Sequence, residues 1–175
     1  MKQLFALSMM SLLLVTAFSS KAQGDEDKSK RPSPPKLATQ KIGDLSISID
    51  YSQPSIKGRT VGVDVEPKAG QVWRTGANEA TIFEVNKDVT VEGKALPAGK
   101  YGLFTVVNGQ EWTIIFNKTW KQWGAFSYKQ TDDVLRVTVK AGKADPFAEK
   151  MSFTIDEKGN VIFLWGDSKV QFKVR

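Results

Sequence analysis

From Lys36 onward the chain alternates apolar and polar side chains with a period of two, the pattern of strands buried on one face. Leu45, Ile47, Ile49 and Tyr51 fall on one side of such a strand, with Ser46, Ser48, Asp50 and Ser52 on the other. The same reading predicts strands over 60–65, 71–74, 81–85, 89–91, 99–107, 112–117, 134–140, 151–156, 161–165 and 170–174. Turn chemistry separates them. Asn108-Gly109 carries the two-residue hairpin signal, and 157–160 and 166–168 are short polar breaks, so three consecutive hairpins are expected.

No window of 11 residues past residue 35 carries a convincing 3.6-residue period, and no segment recurs at a fixed spacing, which argues against solenoids and propellers. About ten short strands in so few residues imply two packed antiparallel layers. The predicted fold class is therefore all-β: a single antiparallel β-sandwich, jelly-roll-like, over 36–175, with a flattened barrel as the second choice.

The first 22 residues depart from this pattern. Lys2 supplies a positive start, 4–18 is an apolar core, and Ser20-Lys21-Ala22 offers small residues where a signal peptidase cuts. The core is shorter than the roughly 20 residues a spanning helix needs, so 1–22 reads as a cleaved signal peptide and no membrane span follows cleavage. A periplasmic or secreted location is expected. Residues 23–35 mix charges of both signs with Ser and Pro and read as a flexible leader. Its basic run, Lys28, Lys30 and Arg31, adjoins Asp25, Glu26 and Asp27, which favours a solvated tether over a nucleic-acid arm. Basic residues elsewhere are scattered, so no nucleic-acid partner is expected.

Composition narrows the chemistry. The 175 residues include no Cys and no His, which excludes Ser-His-Asp and Cys-His nucleophiles, His-ligated zinc, haem, iron–sulfur clusters and disulfides. No metal or other cofactor is expected, and the loop 156–160 has too few ligands for calcium. The formal charge of +6 is mild and sets neither a partner nor an oligomeric state.

Three constellations remain. The densest is 72–81, where an aromatic strand end enters a polar loop: Arg74 offers a planar fork to a carboxylate, phosphate or hydroxyl pair, Asn78 a donor and an acceptor, and Glu79 an acid. Gly76 permits a turn there. A structural Arg74–Glu79 ion pair is the competing reading. The second is 50–59, where Lys57 and Arg59 are expected to join Arg74 in a basic pocket; a Ser55–Lys57 nucleophile pair lacks any oxyanion donor and reads better as a solvated turn. The third is 117–128, where Trp120 and Trp123 alternate with polar residues in a manner suited to stacking on sugar rings, against the alternative that these aromatics close the core. Trp120 is the expected exposed ring, and Asn117-Lys118-Thr119 also matches a glycosylation acceptor.

The strings YSQPSIKGR, VWRTGANEAT, LPAGKYGLFTV, EWTIIFNK, WGAFSY and DVLRVTV, in this order, resemble the twenty-nine-eleven family of exported Bacteroidota proteins of unknown function. The resemblance runs from Arg31 to Val174 and rests above all on RTGANEAT. It implies one secreted or periplasmic all-β domain and marks Arg74, Gly76, Asn78 and Glu79 as hallmark positions, but it carries no reaction or ligand. The segment 62–70, GVDVEPKAG, departs from the glycine- and aromatic-rich version of that family.

Function is expected to be non-catalytic: binding of a small polar molecule or glycan at a loop-end site by Arg74, Gly76, Asn78, Glu79, Lys57 and Arg59, with Trp120 and Trp123 stacking. One alternative is a carboxylate-dependent hydrolase or lyase using Glu79 with Glu84 or Asp50. Another is an envelope structural or interaction protein.

Overall fold

The computed structural model describes residues 27–175; the segment 1–22, read above as a signal peptide, and the first residues of the expected leader lie outside them. Ten strands form: β1 (Pro35–Ile42), β2 (Leu45–Ser52), β3 (Ala77–Val85), β4 (Val89–Val91), β5 (Lys94–Leu96), β6 (Gly99–Asn108), β7 (Glu111–Asn117), β8 (Asp133–Lys140), β9 (Gly142–Ile155) and β10 (Asn160–Lys173). Six of them make one antiparallel sheet in the order β1-β2-β3-β6-β7-β8, and the β9–β10 hairpin and the short β4–β5 pair make two-stranded sheets. This is the expected antiparallel sandwich.

Alternation decides which side of each strand is dry. Ile47 and Ile49 of β2, Phe83 and Val85 of β3, Leu103 of β6 and Ile114 and Phe116 of β7 are buried from the large sheet, and Met151, Phe153, Phe163, Trp165, Val170 and Phe172 from the β9–β10 hairpin. Rings lock the two layers: Phe172 lies 6.5 Å from Phe83 and 6.1 Å from Phe116, and Phe163 lies 5.5 Å from Trp112. A second, smaller cluster occupies the other face of the large sheet. Phe104 and Ile115 are buried there under Ala125 and Tyr128 of the aromatic connection, so β6 and β7 are covered on both sides.

Several strands differ from expectation. β1 forms at the sheet edge with most of its positions exposed, so it needs no apolar face. Segments 60–65 and 71–74 contribute single bridges only, Val61 to Val65 and Trp73 to Thr105. The expected turn at 166–168 lies inside β10: Gly166 takes a φ of +59° and pairs with Ala148, and the register slips on both sides of it, which places a bulge where a hairpin was expected. The other two expected hairpins form, each one residue from its reading: Gly109-Gln110 is the two-residue β6–β7 loop between paired Asn108 and Glu111, with a φ of +62° at Gly109, and the β9–β10 turn closes over 156–159.

Residues 27–35 run against the body of the sandwich. A 3-10 turn spans Lys28–Lys30, Gln53 donates its backbone N–H to Pro34 O at 2.9 Å, and Asn78 Nδ2 donates to Ser33 O at 3.0 Å.

Candidate functional site

Segment 69–75 takes the place of β3 beside the far half of β6: Ala69 bridges Val107 and Trp73 bridges Thr105. The chain then turns sharply through 75–78 to enter β3. Thr75 and Asn78 carry the positive φ values, 51° and 56°, whereas Gly76 is required for a different reason. A Cβ on Gly76 would sit 2.8 Å from Thr81 Oγ1 and 3.3 Å from Ser52 O. The turn is closed by buried bonds: Trp73 Nε1 donates to Gly76 O at 3.0 Å, Thr81 Oγ1 to Thr75 O at 2.8 Å, and Thr81 N to Arg74 O at 3.2 Å.

This turn gathers all three constellations. Gly124 N donates to Asn78 O and Ala80 N to Gln122 O, both at 3.0 Å, so the aromatic connection runs as an extra strand beside the start of β3. Loop 53–56 pairs onto β9, with Ile56 N on Glu149 O at 2.9 Å, and brings Arg59 round to the same rim. The result is a cleft of about 270 Å³ lined by, among others, Arg59, Asp64, Glu66, Lys68, Arg74 and the edges of Trp73 and Trp165.

Arg74 stands apart from the other cations there. Its Nε is buried without a hydrogen-bond partner; the other such donor among the described residues, Arg136 Nε, lies 3.6 Å from the Asp133 carboxylate, whereas no carboxylate pairs with Arg74. Burial pulls its guanidinium below the ordinary value, and the charge of Glu66 pushes partly back. The Arg74–Glu79 ion pair does not form.

Glu79 is instead held by Arg31 Nη1, at 3.0 and 2.9 Å from its two oxygens, and by Lys28 Nζ at 2.9 Å. Burial pushes its carboxyl up, but the bonds from Lys28, its own backbone and Arg31 outweigh that and bring it down to about 2. Arg31 also lies over the Trp123 ring, 5.7 Å from its centroid. Lys28, Arg31 and Glu79 border a second cleft of about 170 Å³ that is also lined by Asp50, whose carboxyl is raised chiefly by partial desolvation there. Glu84 pairs with Lys100 at 3.2 Å and does not line it.

The remaining predicted residues divide. Asn78 spends its amide on Ser33 O, and Arg59 its guanidinium on Ile56 O and Ser55 O at 2.9 and 2.7 Å. Lys57 is exposed, its backbone N–H on Glu149 Oε1, and its side chain does not line the Arg74 cleft. Trp120 is half-buried with Lys100 Nζ over its ring at 5.6 Å, while Trp123 at 54% and Phe126 at 85% are the exposed rings of the connection. Sequence reasoning missed Asp64, Glu66 and Lys68; the charged departure within 62–70 was the available signal. It also missed Arg31 as the partner of Glu79.

Among the described residues, no three Asp or Glu side chains are grouped to hold a metal ion, and no helix is long and apolar enough to cross a membrane. The model of a family described as protein of unknown function, DUF2911, matches residues 33–174. No curated protein and no solved structure matches the chain.

Proposed function

This chain belongs to the DUF2911 family, and on that premise we propose that it is an exported, non-catalytic module that binds a small polar ligand or glycan in the Arg74 cleft. The observation that carries the reading is the buried, unpartnered Nε of Arg74 in the wall of an open cleft. A buried guanidinium donor left without an acceptor is costly, and an incoming carboxylate, phosphate or hydroxyl pair relieves that cost. Asn78 and Glu79, whose polar groups are bonded to 27–35, serve this reading by shaping the turn that presents Arg74. Trp123 and Phe126 offer apolar surface on the connection that adjoins it: an added Cβ on Gly124 would lie 3.6 Å from Arg74 Nη1 and 3.3 Å from the Phe126 ring. Export rests on the segment 1–22, and N-terminal sequencing of the protein recovered outside the cytoplasm tests it.

The test is a glycan-array and small-molecule screen read by tryptophan fluorescence, followed by Arg74→Ala. The variant is expected to weaken the ligand by about 1.5–3 kcal/mol with the fold retained. Unfolding of the variant makes Arg74 a structural residue instead.

A hydrolase or lyase reading draws on Asp50 and Glu79, which share the smaller cleft with their carboxyls shifted in opposite directions. Two cations already hold Glu79, which suits a fixed charge better than a proton carrier, so the binding reading is preferred. Loss of turnover in Asp50→Asn and Glu79→Gln on a substrate panel reverses that preference.

A further inference from the structure

We infer that the Arg74 cleft takes a zwitterion: a small molecule of the α-amino-acid kind, with a carboxylate and an ammonium group a few bonds apart. The inference rests on the cleft being a ligand site and names the ligand class.

The charged groups of the cleft are unequally engaged. Arg59 has its donors on two backbone carbonyls, and Lys68 Nζ donates to Val63 O. Arg74 is left as the cation whose guanidinium bonds to nothing among the described residues. On the acidic side, Asp64 Oδ2 accepts from Thr60 N and Glu66 Oε2 from Lys68 N, both at 2.8 Å. Each carboxylate keeps its second oxygen, and neither is in an ion pair, so a cation with no bond and two acceptors with a free oxygen each line one small cleft.

That pairing discriminates between ligand classes. Phosphate gains Arg74 and the neighbouring cations but gives Asp64 and Glu66 no partner, and a neutral sugar brings no opposite charge to either side. A zwitterion places its carboxylate on the Arg74 fork and its ammonium against Asp64 and Glu66, so each of these groups acquires a partner of opposite sign. The indole N–H groups of Trp73 and Trp165 are already used, on Gly76 O at 3.0 Å and Glu66 O at 2.7 Å, so these rings offer only apolar edges to the ligand's side chain. At about 270 Å³ the cleft suits a single amino acid or a very short peptide better than an oligosaccharide.

The test is calorimetric titration of the purified protein with the free α-amino acids, the N-acetyl acid and the amide of each that binds, inorganic phosphate and neutral monosaccharides. At least one free amino acid is expected to bind, and blocking either its amino or its carboxyl end to weaken it about tenfold or more. Asp64→Asn combined with Glu66→Gln is expected to erase the preference for the free amine, and Arg74→Lys to weaken every carboxylate ligand while melting as the wild type does. Equal binding of the N-acetyl acid overturns the zwitterion and leaves a carboxylate site. Arg74-dependent binding of phosphate or a sugar, with no amino acid bound, also overturns the zwitterion but leaves the binding reading standing. If nothing in the panel or the wider screen binds, both fall.

Discussion

Arg31 donates from Nη1 to both carboxylate oxygens of Glu79, at 3.0 and 2.9 Å, from a point 48 positions earlier in the chain. With Lys28 on the same carboxylate, this ties the segment before β1 to the start of β3. The Glu79 carboxyl sits at about 2 when folded, against an ordinary 4.5. Because the folded value is the lower one, its contribution is fully present above about pH 4.5 and is lost as pH falls toward about 2. The carboxylate is partly exposed, and after solvent screening about 1–2 kcal/mol is expected to remain. Glu79→Gln should lose that amount at pH 7 and show a shallower decline between pH 5 and 2 in urea midpoints. Identical acid limbs in both proteins would show that the cluster contributes nothing to stability.

Gly76→Ala introduces a methyl into a space closed by Thr81 Oγ1 at 2.8 Å and the Ser52 carbonyl at 3.3 Å. One of those contacts must open, and Thr81 Oγ1 is itself bonded to Thr75 O. A loss of about 1–3 kcal/mol is expected from thermal or urea unfolding. A neutral result would mean that the turn is looser than its hydrogen bonds imply.

Tyr128 closes the outer face of the large sheet, its ring 5.1 Å from Phe104 and its hydroxyl donating to Asp133 Oδ2 at 2.7 Å. Burial, followed by the hydrogen bond and charge of Asp133, pushes the phenol well above its ordinary value. A raised folded value means that this contribution is intact below about pH 10, where the unfolded phenol titrates, and is lost as pH climbs beyond it. Tyr128→Phe is expected to cost about 1.5–3 kcal/mol at neutral pH. It should also remove part of the alkaline decline, as followed by near-ultraviolet circular dichroism. A variant that keeps the full alkaline decline would assign that decline to other groups.

The aromatic connection serves two purposes, and substitution separates them. Phe104, fully buried beneath it, should lose about 3–5 kcal/mol as Phe104→Ala. Trp123 is 54% exposed and shares mainly a cation–π contact with Arg31, so Trp123→Ala should cost about 1 kcal/mol or less. A large loss at Trp123 would make the ring part of the core cover.

What could be read from the sequence follows how local each feature is. β2 was legible because its alternation is complete, and the β6–β7 hairpin because Gly109 between two alternating runs supplies the positive φ of a tight turn, although the pairing of Asn108 with Glu111 sets the loop one residue later than Asn108-Gly109. β1 was not, since an edge strand needs hydrogen bonds from β2 rather than an apolar face. β10 was divided in two because Gly166-Asp167-Ser168 has turn chemistry, while the bulges it makes depend on extra residues in β9. Within the site, Arg74 was visible as a lone guanidinium in a polar loop. Its freedom from Glu79 was not, because the competing cations lie in a segment whose composition reads as tether.

The most direct measurement is the Arg74 Nε–Hε resonance in a nitrogen–proton correlation spectrum, assigned by its disappearance in Arg74→Lys. On titration with ligands from the screen, the account predicts that this resonance shifts and its exchange with water slows as the buried donor acquires an acceptor, saturating with the binding isotherm. A bound ligand that moves other resonances while leaving Arg74 Nε–Hε where it was would contradict the account.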